Sequence, residues 1–192
     1  MLQLTKKAIV EATLQTAQVR PLNKITVRDI VEACGITRNT FYYHFHDIYE
    51  VMECWIDLEF SRIKEKCGND SEQIMFELVD LCALRKKVLV NLYKTIGAEQ
   101  LSASLTKHFH DLLIEQLLLA ADGLAVDPRD LELIASFYEA AFIGLLLRFL
   151  KEDKKDFSFE ALHAAVERVH IIFAGQLRLC LENSAKNPSQ GR

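Results

Sequence analysis

Residues 24–50 read KITVRDIVEACGITRNTFYYHFHDIYE, two short amphipathic segments on either side of a glycine. In the first, Val27, Ile30, Val31 and Cys34 recur at helical spacing, and Arg28, Asp29 and Glu32 fall on the other side. Thr26 is placed to cap that helix, and Asp29, three residues on, is a helix-start signature. Gly35 ends it, because glycine takes the left-handed conformation that a sharp helix-to-helix turn requires. Thr37 can cap a second helix in which Phe41 and Phe45, one turn apart, share a face and anchor it to a small core.

That anchoring turns Arg38, Asn39, Thr40, Tyr42, Tyr43 and His44 outward. All are hydrogen-bond donors or acceptors and none is an acid. A carboxylate there would be repelled by phosphate, so an acid-free face suits the groove of a duplex. Arg38 and Asn39 lie at the helix N-terminus, the end that a recognition helix points at base edges. On the polar residues alone, a solvated helix end with two stacked tyrosines is an equal reading.

Lys24–Ile25–Thr26–Val27, Asp29–Ile30, Gly35–Ile36 and Arg38-x-Thr40–Phe41–Tyr42-x-His44–Phe45 together resemble the N-terminal helix-turn-helix of the TetR family of transcriptional regulators. The match covers the first quarter of the chain and is specific in residue type and spacing at once. It implies an all-α fold, with a three-helix DNA-binding head followed by a helical ligand-binding and dimerisation domain. It also implies a homodimer on a near-palindromic operator of double-stranded DNA, most often as a repressor, answering to a small-molecule effector. Carried over by position, the DNA-facing set is Thr26, Arg28, Thr37, Arg38, Asn39, Thr40, Tyr42, Tyr43, His44 and His46. Within it Arg28, Arg38, Asn39, Thr40 and Tyr43 match positions near bases or adjacent backbone, and Tyr42 and His44 match phosphate contacts. One departure stands out. Ile48 occupies a position where the family usually carries a phosphate-binding lysine, and neighbouring His46 is the available substitute.

Composition sets the bounds. A chain of 192 residues, half of them hydrophobic, with seven Gly and three Pro, can bury a sizeable core and is helix-rich rather than β-rich. The net charge of −4 argues against a protein that coats nucleic acid along its whole surface. Residues 1–50 hold six Lys+Arg against five Asp+Glu, a small positive bias at the end expected to meet DNA. The five cysteines form no C-x-x-C pair and read as core thiols of a reducing compartment. The N-terminus lacks the apolar run of a signal peptide, and no uncharged stretch approaches the ~20 residues that span a bilayer. A cytoplasmic protein with no membrane partner is expected.

Periodicity divides the chain into a head over residues 1–46, a body over 47–184 and a polar tail over 185–192. Leu4–Val19 reads as a helix with Ala8, Ile9, Ala12 and Thr16 inward, stopped by Pro21. A long helix over 47–67 carries Val51, Cys54, Trp55, Leu58, Arg62 and Ile63 inward, and at ~1.5 Å per residue it is a rod of roughly 30 Å joining head to body. Ser71 is read as the cap of the next helix, Gly97 as the stop between two more, and Pro128 as the start of another. The segment over 131–150 is apolar on nearly all sides, so it must be covered twice, and a second subunit is the natural cover. The last helix is read as continuous over 158–183. Phe137, Ala141, Gly144, Leu145, Phe149, Val166, Val169, Phe173 and Leu177 form the expected dimer face, a four-helix bundle across a twofold axis.

Between head and bundle, Trp55, Glu59, Phe76, Asn91, Tyr93, His108, Phe109, Phe137 and Tyr138 have the chemistry of an effector pocket, aromatic walls with a few polar groups. No catalytic constellation, metal site or cofactor is expected. His108 and His110, like His44 and His46, face apart on their helices, and His163 and His170 are ~10 Å apart by helix rise. No Gly-rich phosphate loop, G-x-S-x-G or H-E-x-x-H occurs. The alternative to a DNA-binding regulator is a co-regulator of the same fold that acts by docking on another protein.

Overall fold

A computed structural model describes residues 2–151, 159–173 and 175–187, and the described residues form helices joined by turns, without strands. The head begins with α1 (Leu2–Ala17), then a 3-10 turn (Leu22–Lys24), α2 (Val27–Cys34) and α3 (Arg38–His44). Ile9, Val10, Ala12, Leu14 and Ala17 of α1 are buried, whereas Ala8 is exposed, so the inward face is turned from the one the sequence suggests. Thr13 is also fully buried; its hydroxyl donates to the Ile9 carbonyl at 2.8 Å, which removes the cost of an unpaired polar group.

The body starts with α4 (Ile48–Cys67), capped by Asp47, whose carboxylate accepts from the Glu50 N–H at 2.9 Å. Its buried side is broader than the expected stripe. Ile48, Met52 and Ile56 join Val51, Cys54, Trp55 and Ile63 inside, while Leu58 and Arg62 lie outside. α4 packs against α1, α5 and α6, so it is surrounded over much of its length. α5 (Ser71–Leu84) is capped by Asp70 rather than Ser71: the Asp70 carboxylate accepts from Gln73 N–H at 2.9 Å, and Ser71 is the first helical residue.

α6 (Lys86–Ala120) is broken at Gly97, with φ 84° and ψ 167°, a conformation essentially closed to other residues. Its second half runs along α7 (Pro128–Lys151), where His110 sits between Glu132 (3.0 Å) and Glu139 (3.3 Å). By length and hydropathy α7 could cross a bilayer, yet it packs on α6 and α9. The expected continuous last helix is two: α8 (Phe159–Phe173) and α9 (Gln176–Lys186). Gly175, at φ 76°, takes the left-handed conformation and breaks the helical path that periodicity alone had joined. α9 is strapped onto its own subunit. Arg178 donates to the Ala120 and Asp122 carbonyls at 2.5 and 3.4 Å, the Ser184 hydroxyl meets Asp130 at 2.5 Å, and Leu181 is fully buried beside Leu117 and Ala135.

Candidate nucleic-acid interface

Two phenylalanines set the orientation of α3. Phe41 and Phe45 are buried to within 2% of complete, their rings 6.1 Å apart, and together they press α3 onto α1 and α2. Lys6 lies over the Phe45 ring at 5.3 Å. With that side fixed, Arg38, Asn39, Tyr42 and Tyr43 are exposed, the two tyrosines by 57% and 72%. Thr40 and His44 are half-buried at the margin. Among the described residues no ion pair involves Arg38, so its guanidinium is available to an anion.

Both helices of the motif are capped by their own side chains. Thr26 and Asp29 form a reciprocal box: the Thr26 hydroxyl accepts from Asp29 N–H at 3.3 Å, and the Asp29 carboxylate accepts from Thr26 N–H at 2.8 Å. The Thr26 hydroxyl donates to the Asp29 carboxylate at 2.7 Å, and that bond, the Thr26 N–H and the Arg20 guanidinium at 2.9 Å hold the Asp29 carboxyl down at about 2. Gly35, at φ 65°, makes the turn to α3. The Thr37 hydroxyl accepts from Thr40 N–H at 3.1 Å and also meets the Thr40 hydroxyl at 2.9 Å. Thr26 and Thr37 are therefore first of all the caps that position α2 and α3. Arg28 pairs with Glu32 at 2.7 Å, and that carboxylate raises the guanidinium above its ordinary range.

Ile48 is buried in the core, which is why it cannot replace a phosphate-binding lysine. His46 is 91% exposed beside it, with its N–H donated to Glu50 at 2.5 Å and its ring 3.5 Å from Asp47. The exposed Tyr49 follows Ile48 at the start of α4, a position that sequence reading passed over.

Two models of known families match the chain. Residues 9–53 match the helix-turn-helix of bacterial regulatory proteins of the TetR family, and residues 69–163 match a transcriptional regulator C-terminal region of the same family. The chain belongs to the TetR family. Its fold is that of the dihydroxyacetone kinase operon activator DhaS, with a TM-score of 0.72 over 91% of this chain and 97% of that one at 15% identity. No curated protein matches the sequence significantly. As a TetR-family member it is a transcriptional regulator and not an enzyme.

The residues expected to line an effector pocket do not converge. Trp55, Glu59 and Phe109 border an apolar cavity of about 30 Å³ with Leu78, Leu105 and Leu146. Trp55 Nε1 donates to Glu59 at 3.1 Å. His108 lies instead in an open cleft of about 290 Å³ between α4 and α6, stacked on Phe60 and 3.0 Å from Asp57, with Lys64 bound to Glu115 across it. Phe76 stacks on His163 near α8, and Tyr93 packs at the edge of the main core. Phe137 and Tyr138 stand edge to face on α7. Asn91 leaves the set altogether, because its side chain is spent on three hydrogen bonds to the head.

The expected dimer face is also redrawn. Phe149 is fully buried under Lys86, and Val166 is 4% exposed, so both belong to the subunit's own core. Leu177 is half-buried against the small cluster around Leu181. The Phe173 side chain lies outside the described residues. Phe137 (66%), Ala141, Gly144 and Val169 remain exposed and Leu145 partly so, joined by Leu133 on α7 and by Ile171 and Ile172 on α8. A Cβ at Gly144 would meet nothing within 4 Å, so that side of α7 is open. Burial raises the thiols of Cys34, Cys54, Cys67 and Cys82, the last to about 12, and keeps them protonated and inert.

Proposed function

We propose that the protein is a homodimeric repressor that binds a near-palindromic operator in the cytoplasm, with α3 of each subunit in a major groove. The observation that carries this is the outward edge of α3. Arg38, Asn39, Tyr42 and Tyr43 are exposed, acid-free and pinned from behind by Phe41 and Phe45. Two such edges related by a twofold axis read half-sites a whole number of turns apart, ~34 Å each. The dimer forms through α7 and α8, where Leu133, Phe137, Val169, Ile171 and Ile172 leave apolar surface uncovered and only 28% of the most apolar window of α7 is buried.

The effector site in this reading is the cleft between α4 and α6. It is close to the lower bound of ligand pockets, roughly 300 Å³, whereas the cavity at Trp55 has room for about one water. An effector in this cleft beside the Asp57–His108 pair would bear directly on α4, the rod that carries the head, and so alter the spacing of the two heads. The fold relative is named as an operon activator, so the sign of regulation is a separate question for a promoter fusion in cells with and without the gene.

Buried Ile48 and the Arg28–Glu32 pair favour a second reading, a co-regulator that docks on another protein and touches DNA weakly. A salt titration on duplex fragments from the protein's own promoter region separates the two. An operator complex weakens steeply as salt rises, because phosphate contacts release counterions. Absence of binding at low salt would favour the docking protein.

A further inference from the structure

We propose that Asn91 is the positioning residue that fixes the angle of the DNA-reading head on the body. Asn91 lies on the first half of α6, yet every side-chain bond it makes goes to the end of α1 and the turn that follows it. Its Oδ1 accepts from the Leu22 N–H at 3.0 Å, and its Nδ2 donates to the carbonyls of Ala17 and Arg20 at 2.9 and 2.6 Å. Both Nδ2 hydrogens and one lone pair of Oδ1 are used. Its three partners are backbone groups of a helix end and a short turn, which need an outside partner.

The same turn is tied onward to the helix-turn-helix. Arg20, whose carbonyl Asn91 holds, sends its guanidinium to Asp29 at 2.9 Å, and Asp29 closes the cap of α2 on Thr26. A continuous run of bonds therefore leads from α6 through the Leu22 turn to the start of α2, in parallel with the covalent link through α4. On the body side, the non-helical Gly97 follows Asn91 by six residues and separates its half of α6 from the half that carries His108, Asp111 and Glu115 in the open cleft. The head is carried by α4, α1 and the Leu22 turn also pack against α6, and Asn91 pins that packed turn at one tilt. Removing the Asn91 amide leaves the head folded and packed but its turn unpinned, so the tilt loosens and the fit to two half-sites weakens while attraction to phosphate is kept.

The test compares wild type with Asn91→Ala and, as a control, Thr95→Ala. Thr95 sits one turn along α6 and bonds only to the Asn91 carbonyl, at 2.8 Å, without reaching the head. Hydrogen exchange of the Leu22 amide and residual dipolar couplings of the α2, α3 and α7 amides are read without DNA. Affinity is read on a promoter-region duplex and on a scrambled duplex of equal length. In Asn91→Ala the Leu22 amide should exchange about tenfold faster, the couplings of the head should scale down relative to those of α7, and the preference for the promoter duplex should fall about tenfold with scrambled-duplex binding unchanged. Thr95→Ala should resemble wild type. Unchanged Leu22 exchange, unchanged couplings, the same losses in Thr95→Ala, or freed couplings with an undiminished preference would each overturn the assignment. The DNA arm rests on the operator-binding reading. If wild type binds neither duplex, that reading fails by itself, and the couplings alone then decide whether Asn91 holds the head.

Discussion

Phe41 is the residue on which the reading edge depends, since its ring fills the space between α3 and the rest of the head. Phe41→Ala should cost about 3–5 kcal/mol in urea unfolding and take DNA binding with it. Arg38→Ala with Tyr42→Ala should leave unfolding and the dimer unchanged and abolish binding to promoter DNA in a gel-shift titration. Asp29 gives the head an acid-sensitive point. Its carboxyl is held at about 2, below its ordinary value near 3.8, so the stability it contributes is fully present above that ordinary value and is lost as pH falls from about 4 to about 2. Asn in place of Asp29 should remove that portion of the acid limb in a pH series of thermal melts. These residues were legible because each acts on a near neighbour: Phe41 with Phe45 at one turn, Thr26 with Asp29 across a cap. Asn91 was not legible, because its partners lie about 70 residues upstream and no local pattern records them.

At the scale of the element, glycine decided where helices end, and the outcome depended on context. Gly35 and Gly97 stood between distinct periodic segments and were readable as stops. Gly175 lay inside an unbroken apolar period, so α8 and α9 read as one helix until the left-handed backbone separated them. The break lets α9 turn back over α6 and α7, with Arg178 on the carbonyls at the end of α6. Gly97→Ala should cost about 1–3 kcal/mol even though a Cβ there has open space, because φ 84° with ψ 167° strains any side-chain-bearing residue. Thermal melts of that variant measure this directly. The Asp70 cap was missed by one residue because Asp70 and Ser71 are both good capping types and only backbone geometry chooses between them.

The whole molecule is a head on a rod over a helical body, and one subunit leaves its apolar surface incompletely covered. Leu133 and Phe137 on α7 and Ile171 and Ile172 on α8 are more than half exposed, while Phe149 and Val166 on the same two helices are sunk in the core. Periodicity marked α7 as apolar on nearly all sides but could not say which side faces inward, since that depends on where α6 and α9 pack. Phe137→Glu with Ile172→Glu should convert the proposed dimer to a folded monomer in sedimentation equilibrium, and should also weaken operator binding because one head alone reads a single half-site. The central claim is that the acid-free edge of α3 enters the duplex on both subunits of a dimer. It is tested most directly by footprinting promoter DNA with wild type and with Arg38→Ala, Tyr42→Ala protein. Two protected half-sites related by a dyad, about 34 Å apart or a multiple of it, and lost in the double variant, are the predicted result. A footprint that survives in the variant, or no protection by wild type at low salt, would contradict it.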